Sequence, residues 1–275
     1  MDVLIVAART EAWVADFFPG TSLLALPLAA KPLAEHHLDR CAREGAASVC
    51  ILDADWDPAL ARRLGDGARW GLALRYARAP DAAAVAARAA AASRVVQGDE
   101  LVWDGAPVRI DSLRAWFELN FKLIARPAEC VLPGYWSQAG VHLGMNVQIR
   151  LRSEVRPPVL LDDNCRIDDG CRLDGAVIVG EGSIVDRGCR LRRVIVFPRT
   201  YVAQEIALED KVVVGSRVID PIAGASVDLA GDVLVAALDR ARRREEGLLR
   251  RLVRALLRAG RAVARRGRGG RAHGG

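Results

Sequence analysis

A period of six runs through the middle of this chain and limits its fold more than any other feature. Counting every sixth residue from Leu143 gives Leu143, Ile149, Val155, Leu161, Ile167, Leu173, Val179, Val185, Leu191 and Phe197, an unbroken apolar series. The residue four later in each hexad is mostly small or apolar: Val147, Ser153, Val159, Cys165, Cys171, Val177, Ser183, Cys189, Ile195 and Tyr201. Just before that position stand Asn164, Gly170, Gly182 and Gly188, residues that accept a left-handed backbone at a corner.

The geometry behind such a period is a triangular coil. Three hexads, each a short strand plus a corner, close one turn of about eighteen residues, and strands of successive turns stack in parallel. One coil cannot bury its own face, so the coils must pile up. The spacing predicts a left-handed parallel β-helix of hexapeptide repeats over residues 143–222. The series slips near Ala203 and resumes one residue early at Leu208 and Val214, which predicts a bulge and a last partial coil. Cys165, Cys171 and Cys189 all take the fifth position, where a small buried thiol fits. Cys171 and Cys189 are expected to stack in adjacent coils.

The first half has a different rhythm. Residues 3–8 read as a buried strand, Lys31–Arg43 as a helix ended by Gly45, and Ser48–Leu52 as a second strand. Pro58–Leu64 reads as a short helix before a Gly-Asp-Gly turn, Leu72–Tyr76 as a third strand, Asp81–Ser93 as an Ala-rich helix, and Arg94–Val96 as a fourth strand. Alternating strand and helix favours an α/β fold with a largely parallel sheet. Ser112–Ala125 reads as a further helix. The organisation expected is an α/β domain over 1–126, a connector over 127–142, the β-helix over 143–222, a helical region over 223–266 and a disordered tail over 267–275.

Two stretches here resemble the sugar-phosphate nucleotidyltransferases (nucleotide-sugar pyrophosphorylases of the mannose-1-phosphate guanylyltransferase kind). Leu26-Pro-Leu-Ala-Ala-Lys-Pro-Leu-Ala-Glu-His-His-Leu-Asp-Arg is similar to the second part of that family's N-terminal signature. Gly65-Asp-Gly-Ala-Arg-Trp-Gly-Leu-Ala-Leu-Arg-Tyr is similar to its next marker, Gln97-Gly98-Asp99 to the strand end that carries a metal-binding Asp, and Asp111–Ile124 to its late helix. A hexapeptide β-helix follows the transferase domain in several members. The resemblance implies a truncated Rossmann-like nucleotidyltransferase domain, with Arg9 and Lys31 near phosphates and Asp99 as ligand to Mg²⁺.

The same alignment shows what is missing. The family's glycine-rich loop cradles phosphates on bare backbone. Here Ala7-Ala-Arg-Thr-Glu-Ala-Trp-Val-Ala-Asp-Phe-Phe-Pro precedes the first glycine, Gly20. Gly98-Asp99 lies about a dozen residues from Asp111, too few for the family's sugar-phosphate pocket, and its second metal-binding Asp has no counterpart. The reading is a catalytically impaired scaffold or binding protein of nucleotide-sugar or surface-polysaccharide metabolism, with a nucleotide-sugar or a partner protein of glycan synthesis as ligand. The alternative is an active Mg-dependent transferase joining a sugar 1-phosphate to an NTP. A second alternative is a hexapeptide-repeat acyltransferase, for which His142, the one His near the repeats, would be general base. A homotrimer through the β-helix follows only by analogy with other β-helices.

Charge and cysteines bound the remaining classes. Thirteen arginines against three acids put residues 239–275 at +10, leaving −4 on the rest of a chain of net charge +6. Within this tail Leu248, Leu249, Leu252, Val253, Leu256 and Leu257 alternate with Arg250, Arg251, Arg254 and Arg258, a basic amphipathic helix. It is expected either to cap the β-helix or to lie on an anionic membrane surface. Nucleic acid is a poor partner because no aromatics interleave the arginines. No apolar run reaches the ~18 residues of a membrane helix, and the N-terminus reads as a strand, not a signal peptide. The expected location is therefore the cytoplasm, peripheral to the membrane if the tail binds there. The six cysteines include no Cys-x-x-Cys pair and are expected as buried thiols.

Overall fold

The computed structural model describes residues 1–7, 11–78, 82–126, 131–132, 134–137, 140–229 and 235–237. Residues 1–238 belong to one compact unit. Arg9, Cys130 and the basic tail from 239 onward lie outside the described residues, and with them the expectations attached to each.

The first part is a four-stranded parallel sheet flanked by helices. In chain order its elements are β1 (Asp2–Ala7), α1 (Ala12–Phe17), β2 (Pro27–Leu28), β3 (Lys31–Pro32), α2 (Leu33–Arg43), β4 (Ser48–Asp53), α3 (Pro58–Leu64), β5 (Ala73–Arg78), α4 (Ala82–Ala91) and β6 (Arg94–Gln97). The hairpin β7 (Glu100–Trp103) and β8 (Ala106–Arg109) and the helix α5 (Leu113–Ala125) follow. The sheet order is β5-β4-β1-β6, with every neighbouring pair parallel. Two corrections apply. The helix expected from Lys31 begins at Leu33, because Lys31-Pro32 pairs with Pro27-Leu28 in a small antiparallel ribbon. The hairpin at 100–109 was not foreseen; its turn, at Asp104 and Gly105, takes positive φ.

The β-helix can be read directly from strand registers. Its strands are β9 (Tyr135–Ser137), β10 (Val141–Leu143), β11 (Gln148–Ile149), β12 (Glu154–Val155), β13 (Val159–Leu161), β14 (Arg166–Ile167), β15 (Arg172–Val179), β16 (Ile184–Val185), β17 (Arg190–Val196), β18 (Thr200–Val202), β19 (Ala207–Val214), β20 (Arg217–Asp220), β21 (Ala225–Asp228) and β22 (Val235–Ala237). One face stacks Leu143, Leu161, Val179, Val196 and Val213 in parallel. A second stacks Ile149, Ile167, Val185 and Val202. A third stacks Val155, Leu173, Leu191 and Leu208. Three parallel faces repeating along one chain make a three-sided parallel β-helix.

The slip falls earlier than the period suggests. Register shifts between Asp174 and Val177, so Val194 pairs with Val177 one residue early. Val196 and Val213 therefore take the inward places expected of Phe197 and Val214, and Thr200, fully buried, takes that of Tyr201. Phe197 turns outward and stacks on Phe18 with centroids 5.1 Å apart. The first strand also starts early: His142 lies within β10 rather than in the connector. Finally, β21 and β22 occupy residues expected to be helical; β21 pairs with β20 and β22 with β18, both antiparallel.

The first face is buried on both sides. Val159, Leu161, Val177 and Val179 pack inside the coils. Leu160, Ile178, Ile195 and Val212 point the other way, into a core shared with Trp116, Phe117 and Phe121 of α5 and with Leu26, Leu28 and Phe18. Arg193, at the shortened corner, binds Glu118 of α5 and Asp210, each at 2.7 Å. The β-helix and the α/β part thus share one interior.

Candidate functional site

In an open parallel sheet, ligands bind outside the carboxyl ends of the strands, where the strand order reverses. Here the chain steps from β1 to β4 to β5 on one side, and β6 pairs on the other. The reversal lies between β1 and β6, where Ala7 and Gly98 meet. A Cβ on Gly98 would sit 3.1 Å from the Cα and Cβ of Ala7, so glycine lets the two strand ends close together. The Gly98 N–H donates to the Val6 carbonyl at 2.8 Å.

Beneath this point, α2 supplies two buried imidazoles. Nε2 of His37 lies 3.1 Å from the Gly98 carbonyl, and Nε2 of His36 lies 2.8 Å from the Leu28 carbonyl. A carbonyl can only accept, so both rings carry their proton on Nε2. Burial lowers their pKa values to about 3 for His36 and about 4 for His37. Although adjacent on one helix, both are under 4 % exposed, because α2 is enclosed on more than one side. They are neutral struts and not acid–base groups.

Farther along the edge, Asp53 ends β4 and is 1 % exposed. The Tyr76 hydroxyl donates to one of its carboxylate oxygens, and the Asp55 N–H to the other at 3.0 Å. Burial raises the Asp53 pKa despite these bonds. Trp56, in the loop after β4, stacks on Tyr76 with centroids 4.6 Å apart and rings 19° from parallel.

The residues singled out from the sequence do not converge. Asp99 follows β6 at the reversal, but Arg109 binds its carboxylate at 3.0 Å. Among the described residues no group of three His, Cys, Asp or Glu could hold a metal. Mg²⁺ usually needs more than one anionic partner, so Asp99 alone does not fit it. Lys31 is buried and forms an ion pair with Asp39, and its ammonium also donates to the Val131 carbonyl at 2.5 Å. His142 is 4 % exposed, in register with Leu160, and burial lowers its pKa.

Lys31 instead lines a cleft of about 520 Å³ between the α/β part and the β-helix. Arg63 and Arg69 both grip the buried Glu35 there, at 2.5 and 2.7 Å. Asp162, Asp163 and Glu181 line its β-helix side. Burial raises the pKa of Asp162 to about 6. No residue pattern points to this cleft, since its two walls come from distant segments. The Gly65-Asp-Gly67 marker is a turn before β5, at the amino end of the sheet, opposite the strand ends just described.

The cysteines show the stacking that the period implies. Cys171 and Cys189 lie in adjacent coils, where the Arg172 N–H donates to the Cys189 carbonyl at 2.8 Å, and each thiol donates to a backbone carbonyl, Asp186 at 3.0 Å and Ala203 at 2.9 Å. The five described cysteines are free thiols.

Fold and edge together define a mixed α/β chain joined to a parallel β-helix. No family model and no curated protein matches the sequence. Among solved structures, a mutant of perosamine N-acetyltransferase from Caulobacter crescentus in complex with CoA and GDP-perosamine is similar over 78 % of this chain and 94 % of that one, at 16 % identity and a TM-score of 0.24. Likeness at that level leaves the architecture to be read from this chain's own strand pairings. Among the described residues no helix is long and apolar enough to cross a membrane.

Proposed function

We propose that this protein binds a nucleotide-sugar at the carboxyl edge of its parallel sheet and does not carry out nucleotidyl transfer. The observation that carries the reading is the self-pairing of the charges a transferase would need. Lys31 is held by Asp39 and Asp99 by Arg109, so neither is free to meet a phosphate or a metal without breaking an internal pair. What remains is the strand-order reversal, with a glycine at its centre, which is the general place for a ligand in a sheet of this kind. On this reading the α/β part is a shortened nucleotidyltransferase-like scaffold, the β-helix is left-handed and serves as a rigid base, and the setting is nucleotide-sugar or surface-polysaccharide synthesis.

The architecture, an α/β part on a three-sided β-helix, also suits a sugar-modifying acyltransferase. Against that reading, the imidazole of His142 is buried rather than presented to a substrate. Calorimetric titration of the full chain with UDP-, GDP- and ADP-sugars is expected to give binding for at least one of them. Pyrophosphate release from NTPs and sugar 1-phosphates with Mg²⁺ is expected to stay at background. Turnover that vanishes in Asp99→Ala would overturn the non-catalytic reading. CoA release from acetyl-CoA that vanishes in His142→Ala would favour acyl transfer instead.

A further inference from the structure

We infer that Trp56 is the stacking platform for the nucleoside, which places the base over the β4–β5 end of the sheet edge and the phosphates toward β1 and β6. The inference rests on the proposed nucleotide-sugar reading and assigns the two ends of that ligand to opposite ends of one edge.

The first argument is exposure combined with rigidity. Trp56 is 39 % exposed in a loop only four residues long, between β4 and α3. A large apolar ring at the surface is costly to leave in water, and most exposed rings on short loops are free to turn. This one is fixed from below. Tyr76 stacks beneath it, and the Tyr76 hydroxyl is anchored on the buried carboxylate of Asp53. The loop is also pinned: the Asp57 N–H donates to the Tyr76 hydroxyl at 3.3 Å, and the Asp57 carboxylate caps α3 through the N–H groups of Ala59 and Leu60. A ring held in one orientation loses little entropy when a second planar group stacks on it.

The second argument is the order of groups along the edge. Register places Ala7 beside Asp53 and Asp53 beside Arg78, with Gly98 on the far side of Ala7. At about 4.8 Å per strand, roughly 14 Å separates the β5 end from the β6 end. The tight backbone approach at Gly98 suits phosphate oxygens better than a ring, and the stacked Trp56–Tyr76 pair lies at the opposite end. Stacking accepts every base because every base has a π-face, so the platform sets affinity rather than the choice of base.

The test is titration of the full chain with the nucleotide-sugar that the wild type binds, with the free nucleoside diphosphate as a second probe. Trp56→Ala is expected to weaken both ligands at least ten-fold, and Trp56→Phe no more than about three-fold. Trp70 lines the cleft instead, and Trp70→Phe is expected to leave both unchanged. Thermal melting checks that each variant is folded. Unchanged affinity in Trp56→Ala would overturn this assignment while leaving nucleotide-sugar binding intact. No binding to the wild type by any nucleotide-sugar would overturn both.

Discussion

The β-helix and the parallel sheet solve the same problem, burying the apolar residues of parallel strands, in opposite ways. In the β-helix one rule repeats: an inward residue every sixth position and a left-handed corner before the small one. Positive φ recurs at Asn146, Asn164, Gly182 and Arg199 along one corner, and at Gly170, Gly188 and Glu205 along another. In the sheet nothing repeats. Its carboxyl edge is built from single contacts, Gly98 on Ala7, His37 on Gly98 and Tyr76 on Asp53, each made by residues far apart in the chain. Repetition makes a robust frame, and singular contacts make a place where a ligand can be told apart from solvent.

The largest effect should come where the two regions meet. Ile178 is 1 % exposed and packs against α5, whereas Ile184, one face around the coil, is partly open. Ile178→Ala should cost about 2–5 kcal/mol, in the range for a large core residue cut to alanine, and Ile184→Ala about 1 kcal/mol or less. Urea unfolding measures both, and equal losses would break the claim that only one face is buried on both sides.

Glycine substitutions separate the frames next. A Cβ on Gly180 would lie 2.6 Å from the Pro198 nitrogen of the next coil, against 3.1 Å for Gly98 and Ala7. Overpacking of this kind costs about 1–3 kcal/mol, so Gly180→Ala should fall at the top of that range and Gly98→Ala at the bottom. Gly98→Ala alone should also weaken nucleotide-sugar binding. Calorimetry on the two variants decides, and a binding loss in Gly180→Ala instead would move the ligand off the sheet edge.

A smaller contrast concerns pH. His36 and His37 titrate at about 3 and about 4 in the folded chain, below the ordinary 6.5. Their contribution is present above about pH 6.5 and is lost as pH falls toward those values. Asp162 has the opposite sign: raised from 3.8 to about 6, it favours the folded state below about pH 4, and that advantage is lost as pH rises through 6. Asp162→Asn should therefore stabilise the protein by about 1–2 kcal/mol at pH 7.5 and far less at pH 4. Hydrogen exchange at pH 7 and pH 5 should show α2 losing protection while the coil around Asp162 holds. Equal losses in both segments would contradict the assignment of these groups.

The same contrast explains what could be read from the residues alone. Inward valines and leucines, corner glycines and the Cys171–Cys189 stack were legible because each environment recurs once per coil. The parallel sense of the sheet followed from strand–helix alternation, but its strand order did not. The early slip was not legible at Arg192–Val194, opposite Asp174–Val177, because dropping one corner residue leaves the apolar spacing intact until Phe197. The runs at 177–179 and 194–196 are apolar throughout, a trace of burial on both sides that a strict count of six passes over. The site was least legible. Lys31 and Asp99 fit a motif, but whether a charge meets a ligand or an internal partner depends on Asp39 and Arg109, and no spacing announces those pairs.

Hydrogen exchange with and without the bound nucleotide-sugar tests the central claim most directly. Protection is expected at residues 53–57 and 97–99, the two ends of the sheet edge, with the β-helix coils unchanged. Protection confined to residues 162–163 and 181, in the cleft, would place the ligand elsewhere and contradict the account.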